Sequence, residues 1–159
     1  MPPPYEDAMR RALAEADVAA TGGDEHEPDV PVGCVVLDRN GAVVATGHNR
    51  READHDPTAH AETVAIRAAG RALGSWRLDG CTLVVTLEPC AMCAGAIVLA
   101  RLDRLVFGAY DPKAGAAGSV WDVVRDRRVN HRPEVVGGVL AEECGERLRA
   151  WFEARRDLR

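Results

Sequence analysis

Two short stretches hold residues whose types and spacing could do chemistry: His60-Ala61-Glu62 and, 27 positions after the glutamate, Pro89-Cys90-Ala91-Met92-Cys93. The cysteine pair admits four uses: a disulfide, a redox switch, half of a metal site, or core packing. On a helix, positions i and i+3 share a face, so both sulfurs can reach one point. Pro89 suits a helix start, where the positive end of the helix dipole favours thiolates. The N-terminus has no basic n-region or apolar h-region, so a signal peptide is not expected and the chain is expected in the cytoplasm, where structural disulfides are rare. The cysteines also number five, an odd count. A redox Cys-x-x-Cys normally follows the first strand of a thioredoxin-like unit; here two or three predicted strands and a helix precede it.

A metal site needs further ligands. In mid-helix, His60 and Glu62 would point about 200° apart. They can serve one site only if His60 lies at a helix start, where Asp56 or Thr58 is the expected cap and Pro57 lies near the first turn. One imidazole and two thiolates suit zinc with an open fourth position. The sequence has no second Cys-x-x-Cys and no His-x-x-x-His, and Cys34, Cys81 and Cys144 read as small core residues. Glu62 would then be the general acid and base, moving protons between a water and the substrate. The combination H-x-E…P-C-x-x-C is the signature of zinc deaminases that act on nucleobases.

The elements that must position these residues follow from periodicity. Apolar spacing predicts a helix over 5–20, a hairpin over 30–47 turning at Asn40-Gly41, and a polar loop over 49–59. A helix over 60–73, a strand over 81–87, an apolar helix over 90–102 and a strand over 103–109 come next. A Gly-rich loop (111–119), a short helix (120–126), a strand (134–140) and a closing helix (141–158) complete the chain. Residues 1–4 read as a loose tail. The alternation predicts an α/β single-domain three-layer sandwich over 1–159, with a mixed five-stranded sheet and helices on both faces. No apolar run approaches the roughly 20 residues of a membrane span.

Net charge is −5, but unevenly spread. Residues 1–100 hold 8 Arg against 15 acids, or −7, and residues 101–159 hold 11 Arg and one Lys against 10 acids, or +2. A local basic patch of Lys113, Arg125, Arg127, Arg128, Arg132, Arg155 and Arg156 is therefore compatible with RNA; solvated helix faces are the plainer reading.

The chain resembles the bacterial tRNA-specific adenosine deaminases of the cytidine deaminase superfamily. The resemblance runs through "VPVG" (30–33), "HNR" (48–50), "HDPTAHAE" (55–62), "TLEPCAMCAGAI" (86–97), "RLVFGAYDPKAGAAGS" (104–119), "NHR" (130–132) and "RAWFEARR" (149–156). It implies one Zn2+ per chain held by His60, Cys90 and Cys93, with Glu62 shuttling protons. It further implies that Asn49 hydrogen-bonds the purine and Val32 walls the pocket. Asp111, Lys113, Asn130 and His131 would follow the RNA loop, and Phe152, Arg155 and Arg156 would meet flanking nucleotides. The implied partners are a tRNA anticodon stem-loop, whose wobble adenosine becomes inosine, and a second copy of the chain. Plainer readings exist: Asn49 as a turn cap, Asp111-Pro112 as turn chemistry, Phe152 as core, His131 as structural, and Glu88 as a loop residue orienting the turn before Pro89. The acidic loop 21–29 matches no family motif, and Tyr110 stands where a basic residue is expected.

Two other functions compete. A free nucleoside or base deaminase would act on cytidine, cytosine or guanine and would not need the basic C-terminal part. A zinc-stabilised scaffold would not need Glu62 and would favour a fourth protein ligand.

Overall fold

The apolar runs of the sequence become the inner strands of a five-stranded sheet. The computed structural model describes residues 5–24 and 26–158; the tail expected at 1–4 lies outside them. The elements run α1 (Glu6–Thr21), β1 (Gly33–Leu37), β2 (Val43–His48), α2 (Arg51–Asp54), α3 (Ala61–Leu73), β3 (Thr82–Leu87), α4 (Ala91–Leu99), β4 (Arg104–Ala109), a 3-10 turn (Val123–Arg125), β5 (Glu134–Gly137) and α5 (Ala141–Arg156). The strand order is β2-β1-β3-β4-β5. β1 runs antiparallel to β2 and β3, whereas β3, β4 and β5 are parallel.

Alternation along each strand builds two cores. Cys34, Val36, Leu83, Val85, Leu105 and Phe107 face α3 and α4. Val35, Leu37, Val84 and Val106 face Met9 and Leu13 of α1 and Cys144 of α5. The central strands are covered on both sides, which is why they read as continuous apolar runs rather than alternating ones.

Three expectations are corrected. The loop 49–59 contains a helical turn, α2, and the helix expected over 120–126 is only a 3-10 turn. The apolar helix expected over 90–102 stops at Leu99, and its Met92 and Leu99 are exposed. Among the described residues, no helix is long and apolar enough to cross a membrane.

α3 lies against β2 closely enough to dictate a residue type. A Cβ on Gly47 would fall 2.5 Å from the Ala61 carbonyl oxygen and 2.8 Å from the Ala65 nitrogen. Only glycine allows this approach of helix start to strand.

Candidate active site

Strand direction brings four strand ends and two helix starts to one edge of the sheet. β3 ends at Leu87 and β4 at Ala109 on this edge, and the parallel register aligns them. β1 starts here and β2 ends here, because Gly33 pairs with His48 and Cys34 with Val85. Helices α3 and α4 begin on the same edge.

Both helix starts carry candidate ligands at their N-caps. His60 and Cys90 have extended backbones, with ψ of 157° and 175°, and neither spends its side chain on capping. The expected cap of α3 is corrected. Asp56 instead accepts the Thr58 N–H and hydroxyl in the preceding turn. The acceptor for the first helical N–H comes from Asn49, whose Oδ1 receives the Ala61 N–H at 2.9 Å. Asn49 Nδ2 donates to the Val30 carbonyl at 3.1 Å. Its capping reading is therefore the one the hydrogen bonds support, with one amide hydrogen and one lone pair left over.

His60 Nδ1 stands 3.7 Å from Cys90 Sγ and 3.5 Å from Cys93 Sγ. All three ligand atoms lie within 4.8 Å of one another, and no other such group of three occurs among the described residues. The Cys90 thiol is pushed down to about 3, because Cys93 and His60 hydrogen-bond its sulfur. Cys93 is pushed up, first by that Cys90 sulfur and then by burial. The two sulfurs thus lie close enough to hydrogen-bond each other, and metal ligation would draw both as thiolates. The Cys90 sulfur likewise raises His60. An imidazole and two sulfurs converging without a fourth protein donor fit zinc at an open site. Glu62, in the first turn of α3, is 4% exposed, and burial raises its pKa.

His60, Cys90 and Glu62 border a cavity of about 190 Å3, with Val32, Asn49 and Asp111 also in its wall. A larger groove of about 940 Å3 shares Val30, Leu87 and Asp111 with it, and carries Tyr110, Lys113, Phe152, Arg155 and Arg156. Phe152 is exposed rather than core.

A profile described as the cytidine and deoxycytidylate deaminase zinc-binding region matches residues 3–109. A tRNA-specific adenosine deaminase of Bacillus subtilis (strain 168) is 49% identical over 151 residues, which is 95% of this chain and 88% of that relative. The chain belongs to the tRNA-specific adenosine deaminases. Among solved structures, one from a study of A-to-I editing by tRNA:A34 deaminases aligns with a TM-score of 0.82 at 42% identity, covering 89% of this chain and 99% of that one. A guanine deaminase from Nitrosomonas europaea aligns with a TM-score of 0.75 at 26% identity, covering 95% and 85%. The deaminase family and its zinc-binding region make the metal of this site zinc.

The fold separates several of the residues expected to meet RNA. Arg104 pairs with Glu134 in the β4–β5 register, so residues 130 and 131 precede β5 at the far end of the sheet. His131 Nε2 donates to the Leu102 carbonyl at 2.6 Å, which is a structural role. Within one chain, Asn130 and His131 do not join Asp111 and Lys113. The expected basic patch is also divided. Arg125 pairs with Asp122 and Arg128 with Asp126, whereas Arg155 and Arg156 line the groove.

Two buried acids near the site have no chemical role in the sequence reading. Asp29, 3% exposed, receives the Arg51 guanidinium at 3.0 Å and the N–H groups of Val30 and Glu52. The end of the acidic loop is thereby neutralised. Glu88 is 2% exposed and meets four donors from the loop after β4.

Proposed function

We propose that the protein is a zinc-dependent hydrolase that converts adenosine to inosine at the wobble position of a tRNA anticodon loop. One observation carries this reading: a small cavity bordered by His60, Cys90 and Glu62, with Cys93 clustered behind them, adjoins a groove of cations and aromatics. The cavity is well below the roughly 300–1,000 Å3 of ordinary ligand sites, so it suits a base rather than a whole nucleotide. The groove suits the flanking strand, with Tyr110 and Phe152 as stacking faces and Lys113, Arg155 and Arg156 against phosphate. A wobble base in an unpaired loop can be splayed into such a cavity at low cost.

His60, Cys90 and Cys93 would hold one zinc per chain. Bound there, zinc lowers the pKa of water so that a nucleophile is available near neutrality. Glu62 takes the proton from the attacking water. It passes that proton to the purine ring nitrogen, then takes the proton of the new C6 hydroxyl and passes it to the C6 amine, which leaves as ammonia while the C6 carbonyl forms. Burial favours this role, because a carboxylate with a raised pKa can both accept and return a proton near neutral pH. Val32 walls the base pocket, and Asn49 keeps one N–H for the purine while holding the start of α3.

The whole chain, 1–159, is read as one deaminase domain, because α5 closes the same sheet that carries the zinc-binding region. A homodimer is supported by the exposed apolar side chains of Met92 and Leu99 on α4 and of Val120 and Trp121 after the 111–119 loop. The five free cysteines suit the reducing cytoplasm, where tRNA is found.

The test offers the purified protein an anticodon stem-loop with adenosine at the wobble position and, separately, free adenosine, cytidine, cytosine and guanine. Inosine is expected only in the RNA. Rapid loss of free guanine or cytidine beside an untouched stem-loop would replace this reading with that of a free-base or nucleoside deaminase.

A further inference from the structure

Glu88 lies between the last residue of β3 and Pro89, two positions before Cys90. A buried acid in that place requires partners, and all of those the structure gives it are donors from one loop. Oε1 accepts the Asp111 N–H at 3.1 Å and the Ser119 hydroxyl. Oε2 accepts the Ala117 and Ser119 N–H groups, each at 3.0 Å. The loop also grips the next residue, since the Ala116 N–H donates to the Pro89 carbonyl at 2.8 Å. The loop sequence is shaped to this carboxylate. A Cβ on Gly115 would stand 2.5 Å from Glu88 Oε2 and 2.6 Å from the Asp111 carbonyl oxygen, so no larger residue leaves room. The "GAAGS" segment at 115–119 is thus the socket of the glutamate in "LEPC".

The socket has a functional address. Asp111 and Ala114 belong to the wall of the reaction cavity, and Asp111 and Lys113 also line the adjoining groove. We infer that Glu88 is a positioning residue: its carboxylate fastens the 111–119 loop to the end of β3, fixing the substrate-facing wall relative to the Cys90 helix start. Glu88 itself also borders the cavity, but the hydrogen bonds its carboxylate accepts all come from the loop and none from the ligand cluster. Its action is exerted through the backbone of Asp111, and this assignment rests on the base-in-cavity reading of the site.

A glutamine cannot replace it. Four donors require an acceptor-only group, and an amide turns one oxygen into a donor. With the amide nitrogen at the Oε1 position, Ser119 can rotate its hydroxyl to accept, but the Asp111 N–H is left without a partner. Glu88→Gln therefore strikes the attachment of Asp111 selectively. Ser119→Ala removes one contact and leaves three. Gly115→Ala keeps the carboxylate but forces the loop away from it.

The experiment measures bound zinc, melting temperature, kcat and KM for the stem-loop, and amide hydrogen exchange on the zinc-loaded protein. Leu13→Ala, in the core on the other face of the sheet, serves as the control for stability loss alone. Expected for Glu88→Gln is full zinc, KM raised by about tenfold or more, and kcat within roughly threefold of wild type. Ser119→Ala should show a smaller KM effect, and Gly115→Ala one as large as Glu88→Gln. Exchange should quicken about tenfold or more at Asp111 in Glu88→Gln, and at Asp111, Ala117 and Ser119 in Gly115→Ala, while the α4 amides are unchanged. Leu13→Ala should lower the melting temperature with KM unchanged. Unaltered loop exchange and KM in Glu88→Gln would overturn the inference, as would zinc loss as its main effect. Exchange does not depend on substrate: loop loosening without any wild-type activity on the stem-loop would overturn the RNA reading and leave the fastening intact.

Discussion

The Asn49 Oδ1 accepts the Ala61 N–H at 2.9 Å, so the residue that follows β2 caps the helix that carries His60 and Glu62. Capping usually comes from the residue before the helix; here it spans 12 positions. Asn49→Ala leaves a buried helix N–H without a partner and removes one of the two donors to the Val30 carbonyl. The expected cost is about 1–3 kcal/mol, measured by denaturant unfolding of the zinc-loaded protein. Zinc should also be lost sooner to a competing chelator.

Separating the metal from the proton shuttle is the most direct test of the site. Cys90→Ser should lose zinc and turnover together. Glu62→Gln should retain one zinc per chain and the fold, while kcat falls by about 10^2–10^4-fold. Elemental analysis beside single-turnover kinetics distinguishes the two. Cys144→Ser should keep full zinc and lose only stability, since Cys144 packs in the core between α5 and the sheet.

Asp29 gives the fold an acid-sensitive element. Burial would raise its pKa, but the N–H of Glu52, the Arg51 guanidinium and the N–H of Val30 outweigh this and hold it below the usual carboxylate value. The unfolded chain therefore binds this proton at higher pH than the folded one. The stabilisation is complete above the unfolded pKa of about 4 and is lost as pH falls through the folded value. Asp29→Asn should cost about 2 kcal/mol at neutral pH. The gap in stability between wild type and variant should close on acidification below about pH 4, as followed by thermal melts across pH.

RNA affinity should depend on salt through a few cations only. Arg156→Ala should lower the slope of log K against log salt by about 0.7–0.9, one phosphate's worth. Arg128→Ala should leave it unchanged, because Asp126 holds that guanidinium at 2.7 Å and Arg128 is not among the residues lining the groove. Titrations of the stem-loop at several salt concentrations decide this.

Leu99, at the end of α4, is 70% exposed in the single chain. Leu99→Arg should shift sedimentation at micromolar concentration toward a 17.1 kDa species. A wild type that already sediments as the single chain would remove the dimer from the proposal.

The strands and the ligand set were legible because they depend on local patterns. β1, β3 and β4 are uninterrupted apolar runs, and His60, Glu62, Cys90 and Cys93 form a spaced motif. What lay hidden depends on register. Asn130 and His131 are close in sequence to the basic cluster, yet the parallel pairing of β5 with β4 carries them to the far edge. In the sequence Asn49 reads as a purine contact or turn cap, because nothing local links it to Ala61. Glu88 did leave a trace: a lone acid between an apolar strand and a proline must find donors, and the glycine-rich 111–119 segment offers free backbone N–H groups.

Gly47 has no chemistry of its own, yet the close seating of α3 on β2 makes it a silent hazard for heredity. An alanine there would press on the Ala61 carbonyl, one residue beyond His60. A missense change at this codon would be scored as innocuous by side-chain similarity. Its carrier should nonetheless resemble a strain with a damaged metal ligand, and a compensating mutation should map to the first turn of α3 rather than to any residue that meets the base.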